Sequence, residues 1–209
     1  MEKEKRTLKF SEIFGFGAGG MFTYGFQLMI TGYYLLYYMT DIAGFSTVLA
    51  ASLYSTIQII KMVTMLFSGV IIDAINFRSG KYRTWVLVSG IGLGLFFPLS
   101  FFYYPLPQSV YVVVFMIIYT LQTLFYNVGW TAMRAVIGKV AKNKADVVAL
   151  NTSAQSAGTI SSILYGYIGY PILGIALWAG TKQAYGCASA IYGLTISLGA
   201  SYLFCAFGK

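Results

Sequence analysis

Lys61 stands near the middle of the apolar stretch ASLYSTIQIIKMVTMLFSGV, and its ammonium is the group in this sequence whose setting most demands a chemical role. Among apolar neighbours an ammonium must be paired, hydrated or deprotonated, so it points to a bundle interior or an aqueous cavity. The alternative is that it snorkels toward an interface, although it lies more than two helical turns from either end of the stretch. Other chemistry is poorly supplied. The chain has no His, which removes imidazole bases, Ser-His-Asp triads and most zinc sites. Its six acidic residues are too scattered for a carboxylate cage, so no metal site is expected. Cys187 and Cys205 would share one helix about 27 Å apart, too far to bridge. No nucleophile–base pair is visible, and an enzyme is not expected. Gly15-Phe16-Gly17-Ala18-Gly19-Gly20 fits G-x-G-x-x-G with Asp41 near the place of a ribose-binding acid. Yet no strand precedes it and an aromatic-rich apolar stretch follows, so close helix packing by small residues is the better reading.

The elements that hold Lys61 follow from composition. Of 209 residues 58% are hydrophobic and only 10% charged, with 23 glycines besides. A soluble globule needs far more polar side chains to cover it, whereas a bilayer accepts this surplus of apolar surface. The reading is an all-α membrane protein, a single bundle over residues 1–209. A polar arm, 1–10, precedes six spans at about 11–40, 46–72, 84–104, 109–133, 147–178 and 184–207. The first span has no small-residue cleavage site and is expected to be retained.

The 14 basic residues divide sharply. Lys3, Lys5, Arg6 and Lys9 precede the first span. Arg78, Lys81 and Arg83 lie between the second and third, and Arg134, Lys139, Lys142 and Lys144 between the fourth and fifth. Lys209 ends the chain, leaving Lys182 opposite and Lys61 within a span. By the positive-inside rule both termini are cytoplasmic in a multi-pass cell-membrane protein. The net charge of +8 is thereby explained without a nucleic-acid partner.

Polar stripes recur. Steps of four, three, four and three put Tyr54, Gln58, Lys61, Met65 and Ser68 on one face. The first span carries Thr23, Gln27, Thr31 and Tyr34. The fourth carries Thr120, Thr123, Asn127, Thr131 and Arg134, and the fifth Asn151, Gln155, Thr159 and Ser162. Together they outline a polar pathway, although each alone would serve as interhelical hydrogen-bond glue. The third span has no stripe and the sixth is rich in Gly, Ala and Ser, as expected of packing helices. The loop after the second span reads Gly69-x3-Asp73, then Arg78-Ser79-Gly80-Lys81-Tyr82-Arg83. A carboxylate at a helix end beside a glycine-turned basic cluster forms an ion-pair latch. Asp73, Arg78, Gly80, Lys81, Arg83 and Arg134 are the expected gating residues.

That loop resembles the signature of the major facilitator superfamily, and its DAINFRSGKYRTW form resembles the glycoside–pentoside–hexuronide:cation symporters, the melibiose permease group. Three stretches agree with the resemblance: Phe10-Ser11-Glu12 leading into GFGAGG, the Tyr-rich YYLLYYMTDIAGFS, and Asn127-Val128-Gly129-Trp130-Thr131-Ala132-Met133. The resemblance covers essentially the whole chain. It implies an amino-terminal six-helix half with 3+3 inverted repeats, carrying a glycoside, pentoside or sugar acid by alternating access with cation symport. The family's cation-binding acids would fall near Met21 or Phe22 and at Lys61 and Met65, where this chain has none. Coupling to H+ or Na+ therefore lacks the family's acidic ligands, since Na+ needs oxygen donors that an ammonium and a thioether do not supply. The family's sugar-binding acid matches Asn127, and its fifth-helix Arg falls near Asn151 or Ser153. Stripes and resemblance together give the expected substrate-binding set: Thr23, Tyr24, Gln27, Gln58, Lys61, Thr123, Asn127, Trp130, Thr131, Asn151 and Gln155. No cofactor is expected. Expected partners are the bilayer, a small sugar or sugar acid, and a second six-helix half or a homodimer. The competing function is a non-transporting half-carrier acting as membrane scaffold or sensor.

Overall fold

The computed structural model describes residues 7–25, 34–176 and 182–207. Six long helices stand among them: α1 Phe10–Gly20, α2 Thr47–Ala74, α3 Lys81–Phe101, α4 Gln108–Val140, α5 Lys144–Ala176 and α6 Ala184–Ala206. A π-helical segment, Met21–Gly25, extends α1, and a helical turn at Leu35–Tyr37 continues into a second π-helical segment, Tyr38–Ile42. Among the described residues α2, α3, α4 and α6 are each long and apolar enough to cross a membrane. The ends of α2 to α6 differ from the expected spans by a few residues, most at α4, which runs seven residues past 133 to Val140, while the expected first span, 11–40, includes residues outside those described. Apolar run length marks hydrocarbon thickness, whereas helices continue until a cap or breaker stops them. Residues 1–6, Gln27, Thr31 and Lys209 lie outside the described residues.

Local chemistry sets these boundaries. Glu12 accepts a hydrogen bond from the Lys9 amide at the head of α1 (2.8 Å), and Ser46 Oγ accepts from the Leu49 amide at the head of α2 (3.3 Å). Gly80 turns the chain into α3 with φ near 100°, a conformation that favours glycine. Pro107 precedes α4, and Asn143 caps α5 by accepting from the Asp146 amide (2.8 Å).

Packing relies on small residues, because lipid tails offer helices no hydrophobic drive to associate. α3 makes its broadest contacts with α6 and α4, α4 also packs on α2, and α1 packs on α5. Pro98 gives no N–H to the Gly94 carbonyl four residues back. Gly193 of α6 packs against that carbonyl and the Pro98 ring, where a side chain would not fit. The glycines of the dinucleotide-like run serve the same purpose: Gly17 meets Ser153 of α5, and Gly19 meets Leu203 of α6. Ser153 Oγ also donates to the Ile13 carbonyl (2.7 Å). Cys187 and Cys205 are both free.

The two ends of the bundle are fastened differently. At one end Tyr38 Oη donates to the Phe102 carbonyl (2.8 Å) and lies 2.7 Å from Tyr111 Oη, amid Phe45, Phe101 and Phe115. At the other, the basic end, Asp146 is fully buried. Its carboxylate accepts from Thr7 N (2.9 Å), Thr7 Oγ1 (2.5 Å), Leu8 N (3.3 Å) and Lys142 N (3.4 Å). One acid thus ties the amino-terminal arm, the α4–α5 loop and α5 together.

Burial works against ionisation of Asp146, but the hydrogen bonds from Thr7, Leu8 and Lys142 outweigh it and hold its carboxyl below the ordinary carboxylate value. A depressed folded-state pKa contributes stability that is present above the unfolded value and lost as pH falls through the folded one. Asp146→Asn is therefore expected to lower the thermal unfolding midpoint in detergent at pH 7, with the gap from the parent closing at pH below about 4. A gap that is absent at pH 7, or that persists in acid, contradicts the anchor.

Candidate functional site

The site starts from the seam between α2 and α4. Asn127 Nδ2 donates to the Lys61 carbonyl (3.0 Å) and to Thr64 Oγ1 (2.6 Å). One turn on, Ser68 Oγ and Thr131 Oγ1 lie 2.8 Å apart. Thr64–Asn127 and Ser68–Thr131 share a sequence offset of 63, so the two helices run parallel and in register. Because Asn127 grips the backbone of Lys61 itself, it fixes where that side chain leaves α2.

From there a ladder runs along α4. Lys61 Nζ lies 5.8 Å from the centroid of the Tyr126 ring. Tyr126 and Trp130, one turn apart, have rings within 7° of parallel and centroids 6.3 Å apart. A further turn on, Arg134 Cζ sits 4.6 Å from the Trp130 centroid. The Arg134 guanidinium donates to Asn151 Oδ1 (3.2 Å) and Gln155 Oε1 (3.1 Å), neighbours one turn apart on α5. Tyr24 stands edge-on behind both aromatic rings, at 6.1 and 6.0 Å, and its hydroxyl is 3.1 Å from Ser89 Oγ. Gly129 makes this possible, since Ser89 and Tyr24 occupy the space a side chain there would need.

The expected substrate-binding residues divide accordingly. Gln58 and Gln155 are exposed, while Lys61, Trp130, Thr131 and Asn151 are half-buried; Lys61, Trp130, Asn151 and Gln155 belong to the ladder. Thr23, Tyr24, Thr123 and Asn127 are buried within the bundle. Thr23 returns its hydroxyl to the Gly19 carbonyl (2.8 Å), and Asn127 directs both amide hydrogens at α2. A hydroxyl or amide in a bilayer gains more from a neighbouring helix than from a cavity it fails to reach. Gln27 lies outside the described residues. Where the resemblance puts an arginine near Asn151 or Ser153 on α5, Asn151 instead receives Arg134 from α4, and Ser153 faces α1. Among the described residues no three of His, Cys, Asp and Glu gather as a metal site.

The expected latch splits in two. Lys81 Nζ pairs with Asp73 Oδ1 at 2.6 Å, with Asp73 71% exposed. So open a pair contributes at most about 1 kcal/mol, weak enough to break during a conformational change. Arg83 turns instead to the last turn of α6, donating Nε to the Phe204 carbonyl (2.5 Å) with Cζ 4.0 Å from the Phe204 ring. A cation is favoured there by the helix dipole. Gly80 makes the turn and Arg78 is exposed. Sequence reasoning did not single out Tyr126, Ser89 or Asp146. The four-residue spacing Tyr126, Trp130, Arg134 signals the first, and Asn143-x-x-Asp146, a helix-capping pattern, signals the last.

The sequence pattern of the family described as MFS/sugar transport protein matches residues 15–209. The chain is 26% identical over 184 residues to the Escherichia coli protein bearing the name glycoside/cation symporter YagG, covering 87% of this chain and 39% of that one. It is 23% identical over 182 residues to the isoprimeverose transporter of Lactiplantibacillus pentosus, covering 87% and 38%. A shorter match, 24% over 135 residues, joins it to the inner membrane symporter YicJ of Escherichia coli, covering 63% and 29%. The chain thus spans about two-fifths of the first two relatives.

Replacing Asn127 by Leu removes both hydrogen bonds to α2. Interhelical hydrogen bonds within bilayers contribute roughly 0.6–2 kcal/mol, so Asn127→Leu is expected to destabilise the bundle by about 1–2 kcal/mol. Denaturant titration in mixed micelles measures this, and an unchanged midpoint contradicts the seam.

Proposed function

The chain belongs to the MFS/sugar transport protein family, within its glycoside–pentoside–hexuronide:cation symporters, and on that premise we propose that it is the six-span half of a secondary carrier with 3+3 inverted repeats. It carries a glycoside, pentoside or sugar acid by alternating access. The observation that carries this reading is the polar face of Gln58, Lys61, Trp130, Arg134, Asn151 and Gln155 on helices otherwise built for lipid. Hydrocarbon tolerates such a face only where it meets water, ligand or protein. Trp130 supplies a half-buried ring on which a sugar's C–H face stacks, and the amides and hydroxyls around it suit hydroxyl groups. A second six-helix half or a second copy closes the cavity. Both termini, and the Asp73–Lys81 pair with them, lie on the cytoplasmic side.

The same premise assigns the coupling. With Lys61 and Met65 where the family keeps acids, the Lys61 charge stands in for a bound cation, and transport proceeds without sodium. Uptake of a panel of labelled sugars into proteoliposomes tests the reading. Uptake is expected, unchanged when the sodium gradient is removed. Uptake of none of the sugars contradicts carriage and favours the scaffold or sensor reading, while a several-fold response to sodium contradicts the role given to Lys61.

Orientation and latch have separate outcomes. Cysteines placed at 74–83 and 135–145 are expected to label only from the cytoplasm, and those at 105–108 only from outside. The reverse pattern overturns the topology. In an active carrier, Asp73→Asn is expected to slow interconversion between inward-open and outward-open forms more than it weakens substrate binding. Unchanged exchange rates reduce the Asp73–Lys81 pair to an anchor.

A further inference from the structure

Every described carboxylate is engaged near a helix end. Glu12 holds the Lys9 amide, and Asp41 accepts from Thr40 Oγ1 (2.6 Å). Asp73 holds Lys81, and Asp146 holds the arm. Two cations on the polar face therefore have no carboxylate among the described residues. Among the described residues the Lys61 ammonium meets the Tyr126 ring, at 5.8 Å, and Arg134 meets the Trp130 ring and two neutral amide oxygens. A ring at that distance offsets roughly 0.5–2 kcal/mol, and the half-buried ammonium keeps its hydrogen-bond donors open to a ligand of opposite charge.

We infer that this face binds a sugar acid, with its carboxylate on Lys61 and its ring against Trp130, an assignment that rests on the carrier reading above. The two cations have different parts. Both sides of the Arg134 fork are held by Asn151 and Gln155, so it is oriented but not neutralised, and it adds positive potential at the far end of the ladder. Lys61 Nζ has no hydrogen-bond acceptor among the described residues. One free ammonium matches one carboxylate; a phosphate ester, with nearly two charges, calls for a free bidentate guanidinium that is not offered here. Tyr126 is buried beneath the ladder, and Trp130 is the more open of the two rings. The indole lies parallel to the Tyr126 ring that Lys61 faces, with the two ring centroids 6.3 Å apart. An acid also answers the missing coupling cation, since ligand and lysine neutralise each other in the loaded state.

The test compares sugars that differ only at C6. Purified chain in nanodiscs is titrated with methyl β-D-glucuronide, methyl β-D-galacturonide and the matching glucoside and galactoside, by calorimetry. One uronide at least is expected to bind about tenfold or more tightly than its neutral partner. Lys61→Met should bring that ratio to within about twofold, and Lys61→Arg should keep the preference. Neutral sugars that bind as well as the uronides, or a preference that survives Lys61→Met, overturn the inference and leave the carrier reading standing. Binding of none of the four sugars overturns both.

Discussion

Hydrocarbon does not solvate polar groups, and the rest of this structure depends on that constraint. Each buried hydroxyl or amide must find a partner within the bundle. Thr23 returns its proton to Gly19, Tyr24 meets Ser89, and Ser100 donates to Gln122 Oε1 at 2.6 Å. Ser189 reaches the Gly186 carbonyl (2.8 Å) and, more distantly, that of Pro98 (3.4 Å). Groups satisfied in this way bind nothing else. Among the described residues the buried Trp85 Nε1 and Gln122 Nε2 lack a hydrogen-bond partner, while the more open polar groups of α2, α4 and α5 lie along the ladder of Lys61, Trp130 and Arg134.

The seam between α2 and α4 converts the constraint into geometry. α2 leaves much of its surface open, with Ile59, Met62, Leu66, Phe67 and Val70 exposed as lipid-facing residues would be. It is held to the bundle chiefly through α4, where Asn127 and Thr131 form its polar contacts. Those contacts set the level of Lys61 against Tyr126. At the basic end the fastenings are of two strengths: Asp146 is enclosed and bonded four ways, whereas the Asp73–Lys81 pair lies in the open. The proposed alternating-access cycle calls for that contrast, with some contacts that last and others that exchange.

Much of the fold was legible because composition and the period of apolar runs report directly on a bilayer. Glycines set for close packing were legible too, and Gly17 packs against Ser153 as that reading requires. The site was legible in part. Periodicity places Gln58, Lys61 and Met65 on one face, but it does not tell whether a face looks into a cavity or a neighbouring helix. Asn127 and Thr123 share a stripe with Thr131 and Arg134, yet both are buried, Asn127 against α2. Arg83 was read with Asp73 from their nearness in sequence. Its partner, the Phe204 carbonyl, lies 121 residues away on a helix end that no local pattern connects to it.

The central claim is that the Gln58, Lys61 and Met65 side of α2 meets water and ligand while its Ile59 and Leu66 side meets lipid. Single cysteines at positions 58, 65 and 155, and at 59 and 66, in a background without Cys187 and Cys205, can be exposed to a charged, membrane-impermeant thiol reagent in sealed and opened vesicles. The account predicts reaction at 58, 65 and 155, slowed by bound sugar, and none at 59 and 66. Equal silence at all five positions, or reaction at 59 and 66 alone, would contradict it.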